Sequence, residues 1–119
     1  MQEEKKIAKI VIDILNDKKV EEIALIDISQ ALPIADYFIV GTVATPNQIG
    51  SIVKEIEQKL SIFGLKQISR NANEQSGWFL LDFNIVIIHL FTPEAREYYQ
   101  LENLWRKYII EIKTLDSIK

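Results

Sequence analysis

His89 is the only histidine in the chain, and cysteine is absent. A hydrolytic triad or a multi-histidine metal site therefore has little to build on, and disulfides and thiolate-bound metals are excluded. Ile87 and Phe91 share the strand face of His89 while Ile88 and Leu90 point the other way, which suits a partly buried histidine bonded to a neighbour. Asp27, Asp36 and Asp82 lie on separate elements, and none belongs to an Asp-x-Asp arrangement. The remaining chemistry-bearing residues suit contact better than catalysis. Trp78 opens a strand after a polar loop, where an aromatic is either core or an interface anchor. Asp82 closes that strand beside a turn, where a carboxylate accepts local backbone N–H bonds or meets a basic partner. Arg96, Tyr99, Glu102 and Trp105 follow at intervals of three along a helix. Arg96 and Glu102 then read as a solvated polar face, and Trp105, spaced with Leu101 and Tyr108, as core.

The elements that must position these residues are legible from periodicity. Ile7, Ile10, Val11, Ile14 and Leu15 share one face of a first helix. Residues 21–29 read as a strand, with Ile23, Leu25 and Asp27 on one side and Ala24, Ile26 and Ile28 on the other. Pro33 closes a short connection to a second buried-type strand over 34–43. Thr45 caps a helix that has Pro46 at its first position and Gln48 completing a capping box. Ile49, Ile52, Val53, Ile56, Leu60 and Phe63 form its apolar stripe, and Gly64 ends it. A weak edge strand is expected over 65–70, a polar loop over 71–76, and a strand pair turning tightly at Phe83-Asn84. Thr92-Pro93 opens the last helix, in which Tyr98, Leu101, Trp105, Tyr108 and Ile112 recur at three and four, with Leu104 and Ile109 alongside. The tail is expected to fray from about Ile112. The order αββαβββα predicts an α/β or α+β domain with a mixed sheet flanked by helices.

Composition bounds the role. The 119 residues suit a single domain spanning 1–119, and 48% hydrophobic with 26% charged residues marks a globular chain. The acidic-first start MQEEKK has no apolar region of a secretory signal, and no apolar run is long enough to span a membrane. A cytoplasmic protein is expected. A net charge of −3 argues against broad electrostatic binding to phosphate backbones, so no direct sequence-specific nucleic-acid contact is expected.

The stretch from Gly77 to Tyr108 carries the pattern W-x-x-x-D-x-x-x-x-x-x-H-x-x-x-x-E-x-R-x-x-Y-x-L-E-x-L-W. It resembles the signature of the ribosomal silencing factor, or Iojap, family. Asp36, Tyr37 and Phe38 and the long helix after them extend the resemblance over nearly the whole chain. Two departures stand out. Asn71-Ala72 occupies the place of the family's Glu-Gly, and Asp82-Phe83-Asn84-Ile85 that of its Asp-x-Gly-Asp, so Asn71 and Ile85 each lose a carboxylate. Asn84 replaces glycine with a residue that tolerates left-handed geometry.

The resemblance implies a five-stranded mixed sheet similar to that of nucleotidyltransferases. Such enzymes need carboxylates converging on magnesium and a small-residue turn near phosphate. Gly41-Thr42 offers the turn, but the capped helix from Thr45 occupies the place of the acidic strand. The resemblance instead implies a non-enzymatic protein with no cofactor, metal or catalytic residue. It would dock on the large ribosomal subunit through the universal protein numbered fourteen, sterically block the small subunit, and form a homodimer when free. The docking residues carried over are Trp78, Asp82, Arg96, Tyr99, Glu102 and Trp105. A nucleotidyltransferase-like enzyme and a general dimeric adaptor are the alternatives.

Overall fold

The computed structural model describes residues 2–67, 69–73 and 76–117. Helix α1 (Gln2–Asp17) leads into β1 (Glu21–Asp27) and β2 (Tyr37–Thr42). A 3₁₀ turn (Pro46–Gln48) starts α2 (Ile49–Leu60), followed by β3 (Ser69–Asn73), β4 (Trp78–Asp82) and β5 (Val86–Phe91). Then come α3 (Pro93–Tyr99), α4 (Leu101–Leu104), a two-residue strand β6 (Ile109–Ile110) and a 3₁₀ segment (Ile112–Ser117). The sheet order is β3-β4-β5-β2-β1-β6, with β2 and β5 parallel and every other pair antiparallel. The expected five-stranded mixed sheet flanked by helices is thus present, extended at β1 by the short β6.

Alternation along the central strands splits the interior into two layers. Leu25, Ile39, Phe79, Leu81, Val86, Ile88 and Leu90 face α1 and α2, whose buried residues include Ile7, Val11, Leu15, Ile52 and Ile56. Ile26, Ile28, Phe38, Val40, Ile87 and Phe91 face the opposite way, toward Ala95, Leu101, Trp105 and Tyr108. The first layer has two full helices over it. The second is covered only by short elements, so Trp78, Leu80 and Trp105 remain half-buried there.

Local chemistry explains the junctions. Gln48 Oε1 accepts the Thr45 N–H at 3.2 Å and so closes the start of α2. Gly64 leaves the helix in left-handed geometry at φ 76. Asn84 at φ 79 turns β4 into β5, as the substitution for glycine requires. Gly41 is not a turn but part of β2, and its missing Cβ makes room for Val20, whose Cγ1 would stand 2.5 Å away. That removes the small-residue turn a phosphate would need.

Three expectations change. Residues 71–73 lie in strand β3 rather than a loop, although β3 is at the sheet edge as expected. The last helix breaks at Gln100, which adopts left-handed geometry at φ 48, ψ 50. Its apolar stripe holds only in part: Leu101, Trp105 and Tyr108 pack on the second layer and Ile112 on the first, while Tyr98 and the flanking Leu104 are 79% and 78% exposed. Past Ile112 the chain packs back on α1, with Leu115 buried in the first layer, so the loose tail expected there does not begin at that residue.

Candidate docking face

The junction between Gly77 and Thr92 places the first aromatic residues. Gly77 sits at φ 73, and a Cβ there would meet Thr92 Oγ1 at 2.5 Å. The Thr92 N–H donates to the Gly77 carbonyl at 3.0 Å, and Thr92 Oγ1 accepts the Ala95 N–H to cap α3. The start of β4 is thereby held against the start of α3. Trp78, first in β4, then meets Tyr99, last in α3, at a ring separation of 4.8 Å, with Phe91 at 5.1 Å on the adjacent strand.

His89 lies beneath Trp78 on the same sheet face and is 3% exposed. The indole Nε1–H of Trp78 donates to His89 Nδ1 at 3.1 Å. A nitrogen that accepts carries no proton, so the neutral ring holds its proton on Nε2. Burial pushes the His89 pKa down to about 4, which keeps it uncharged near neutrality. The expected hydrogen-bonded strand histidine is what the fold contains. Phe38 meets His89 edge-on at 4.6 Å and Trp105 at 5.6 Å, and Trp105 meets Tyr108 at 6.0 Å. Tyr99, Trp78, His89, Phe38, Trp105 and Tyr108 therefore form one continuous array across the thinly covered sheet face.

Arg96 and Glu102 are not the solvated polar face expected of one helix. They lie on α3 and α4, and the guanidinium Nε and Nη2 donate to both Glu102 oxygens at 2.8 Å. Arg96 Nη1 donates to Thr42 Oγ1, buried at the end of β2, at 2.9 Å. With its side chain 13% exposed, Arg96 is mainly a brace that fixes α4, and hence Trp105, against the sheet. Glu102, at 31%, keeps an outward edge and shares a shallow groove with Glu22, Glu97, Gln100 and Asn103.

Asp82 stands apart. Its Oδ1 accepts the Asn84 N–H at 2.8 Å and closes the β4–β5 turn. Four residues of extended chain put it about 14 Å from Trp78. Of the six residues singled out from sequence, Trp78 meets Tyr99, Arg96 pairs with Glu102, and Trp105 joins the array through Phe38, whereas Asp82 closes the far end of β4. Sequence reading passed over Phe38 and Tyr108 as array members and Thr42 as the anchor of Arg96. The Asp-Tyr-Phe match around Phe38 was the available signal, whereas Thr42 had none.

Elsewhere, Asp27 Oδ1 accepts from the Ser29 N–H and hydroxyl. Burial first, then the charges of Glu4 and Asp27, raise the Asp36 pKa. Ile85 packs at the edge of the first layer where the family pattern has an acid, and its carbonyl accepts the Asp36 and Tyr37 N–H groups. The side chain of Asn71 is outside the described residues. Among the described residues no three of His, Cys, Asp and Glu converge as metal ligands, and no helix is long and apolar enough to cross a membrane.

These features define a small mixed-sheet α+β domain with one well-covered face and one thinly covered aromatic face. The chain belongs to the family described as ribosomal silencing factor during starvation, whose family model matches residues 1–119. It is 30% identical over 102 residues to the ribosomal silencing factor RsfS of Bacillus subtilis, covering 86% of each chain. It is 24% identical over 98 residues to a mouse protein named mitochondrial assembly of ribosomal large subunit protein 1, covering 80% of this chain and 43% of that one. A crystal structure of a Chromobacterium violaceum protein superposes with a TM-score of 0.76 at 29% identity, covering 85% of this chain and 84% of that one.

Proposed function

We propose that the protein is a non-enzymatic silencer that docks on the large ribosomal subunit through its universal protein fourteen and occupies space the small subunit needs. The observation that carries this reading is the match to the silencing-factor family along the whole chain, residues 1–119. The aromatic face supports it, because partly exposed Trp and Tyr beside charged groups are the side chains that dominate protein–protein affinity. Trp78, Tyr99, Trp105 and Glu102 form the central contact, Arg96 braces it, and Asp82 reaches a peripheral basic group. A net charge of −3 favours basic protein surface over bare RNA, so docking weakens only moderately with salt. Repression is steric and follows mass action, with no bond made or broken. When no ribosome is present, the exposed Tyr98 and Leu104 contribute to a homodimer interface. The protein acts in the cytoplasm, where the subunits are.

Co-sedimentation tests the reading. The purified protein is expected to pellet with isolated large subunits but not with small subunits or joined ribosomes. Equal pelleting with all three, or with none, would overturn it.

A further inference from the structure

The geometry points to His89 as a positioning residue for docking: its Nδ1 accepts the Trp78 indole N–H at 3.1 Å and fixes the orientation of the ring on the thinly covered sheet face. This inference rests on the docking reading above and adds the device that prepares the contact. The ring contacts of Trp78 with Phe91 and Tyr99 are tilted, at 35° and 52°, and such contacts tolerate a range of ring orientations. An N–H···N bond is directional and does not. Without it the indole is free to leave its place between α3 and the sheet, and a partner would have to order it on binding.

A purely structural role explains His89 poorly. Its neighbours along the face, Ile87 and Phe91, are buried and apolar, and a leucine or isoleucine would fill the same strand position. The histidine instead brings a buried Nε2 with no hydrogen-bond partner among the described residues. A buried donor left unsatisfied lowers stability, so a histidine at this position calls for a gain elsewhere. The gain available is the acceptor at Nδ1, and the group it serves is the most prominent anchor of the proposed docking surface.

Two substitutions separate positioning from packing. His89→Asn places a carbonyl oxygen near the position of Nδ1 and keeps the acceptor, whereas His89→Leu keeps bulk and removes it. The indole N–H resonance of Trp78, read by NMR in the free protein, reports the bond directly. We expect His89→Leu to shift that resonance and to weaken large-subunit docking roughly tenfold, and His89→Asn to restore most of both. Trp78→Phe, which removes the donor, serves in a double-mutant cycle. The losses from Trp78→Phe and His89→Leu should be less than additive if they remove the same bond. Unchanged docking by a folded His89→Leu protein, or fully additive losses, would overturn the inference while leaving the docking reading intact. Failure of the wild-type protein to bind large subunits would remove both, and is distinguishable because it needs no variant.

Discussion

Arg96 and Glu102 meet across a break in the chain's last helical stretch, guanidinium to carboxylate, with both contacts at 2.8 Å. Between them Gln100 takes left-handed geometry, which costs a residue with a side chain about 1 kcal/mol. The paired charges and the bond from Arg96 to Thr42 offset that cost and set α4 in place.

Removing Glu102 should therefore expose a strained joint as well as a lone cation. Glu102→Ala is expected to destabilise the fold by about 2 kcal/mol, less than the loss from a fully buried pair because Glu102 keeps contact with solvent. Gln100→Gly should stabilise by up to about 1 kcal/mol by relieving the left-handed turn, less whatever the glycine gains in the unfolded chain. Thermal and urea melts of both variants check this. An unchanged midpoint for Glu102→Ala would mean the pair does not hold α4.

Stability should fall on both sides of neutrality for separate reasons. His89 takes up its proton near pH 6.5 when unfolded and only near 4 when folded. Between those values the unfolded chain binds more protons, so stability drops as pH falls from 6.5 toward 4, by roughly 3 kcal/mol. Tyr37 has the opposite sign. Burial, then the charges of Asp27, Asp36 and Glu4, raise its pKa to about 12, so its contribution is intact below 10 and is lost as pH rises toward 12. Urea melts across pH on wild type and His89→Leu isolate the acid arm, which the variant should flatten.

The two tryptophans should divide differently between folding and docking. Trp105 rests on Phe38 and Tyr108 and is only half-buried, so Trp105→Ala should destabilise by about 2–3 kcal/mol rather than the larger loss of a fully buried ring. Trp78→Ala should be the milder change in a thermal melt but weaken docking by about 2 kcal/mol. Co-sedimentation of folded Trp78→Ala at wild-type levels would place the docking surface elsewhere.

Much of this face was readable in advance, because its determinants are local. Thr92 before Pro93 announced α3, Asn84 announced the turn, and alternation from Ile23 to Ile28 separated Ile23 and Leu25 from Ala24, Ile26 and Ile28 as the two layers do. The errors arose where distant groups decide. Tyr98 to Ile112 spaces its apolar residues as a helix would, yet no glycine or asparagine marks the break at Gln100. That break is stabilised by Arg96, whose anchor Thr42 lies 54 residues away in sequence. Periodicity sees neighbours within two turns and has no access to such a pair. The bond from Trp78 to His89 escaped for a similar reason, since it depends on strand pairing across β4 and β5 rather than on spacing.

The nucleotidyltransferase-like alternative raised from the sequence gives a further check. Gly41 is filled against Val20, and Asp82 is engaged in its turn. Calorimetric titration with ATP, CTP or GTP and magnesium should show no stoichiometric binding at micromolar concentration. A magnesium-dependent isotherm of one nucleotide per chain would restore the enzyme reading.

The proposed steric exclusion of the small subunit is measured most directly by subunit joining. Large and small subunits are mixed with increasing amounts of the protein, and joining is followed by light scattering and sucrose gradients. A dose-dependent loss of joined ribosomes is expected, with the protein riding on the free large-subunit peak and excess small subunits restoring joining by competition. Undiminished joining with the protein bound to the joined ribosomes would contradict it.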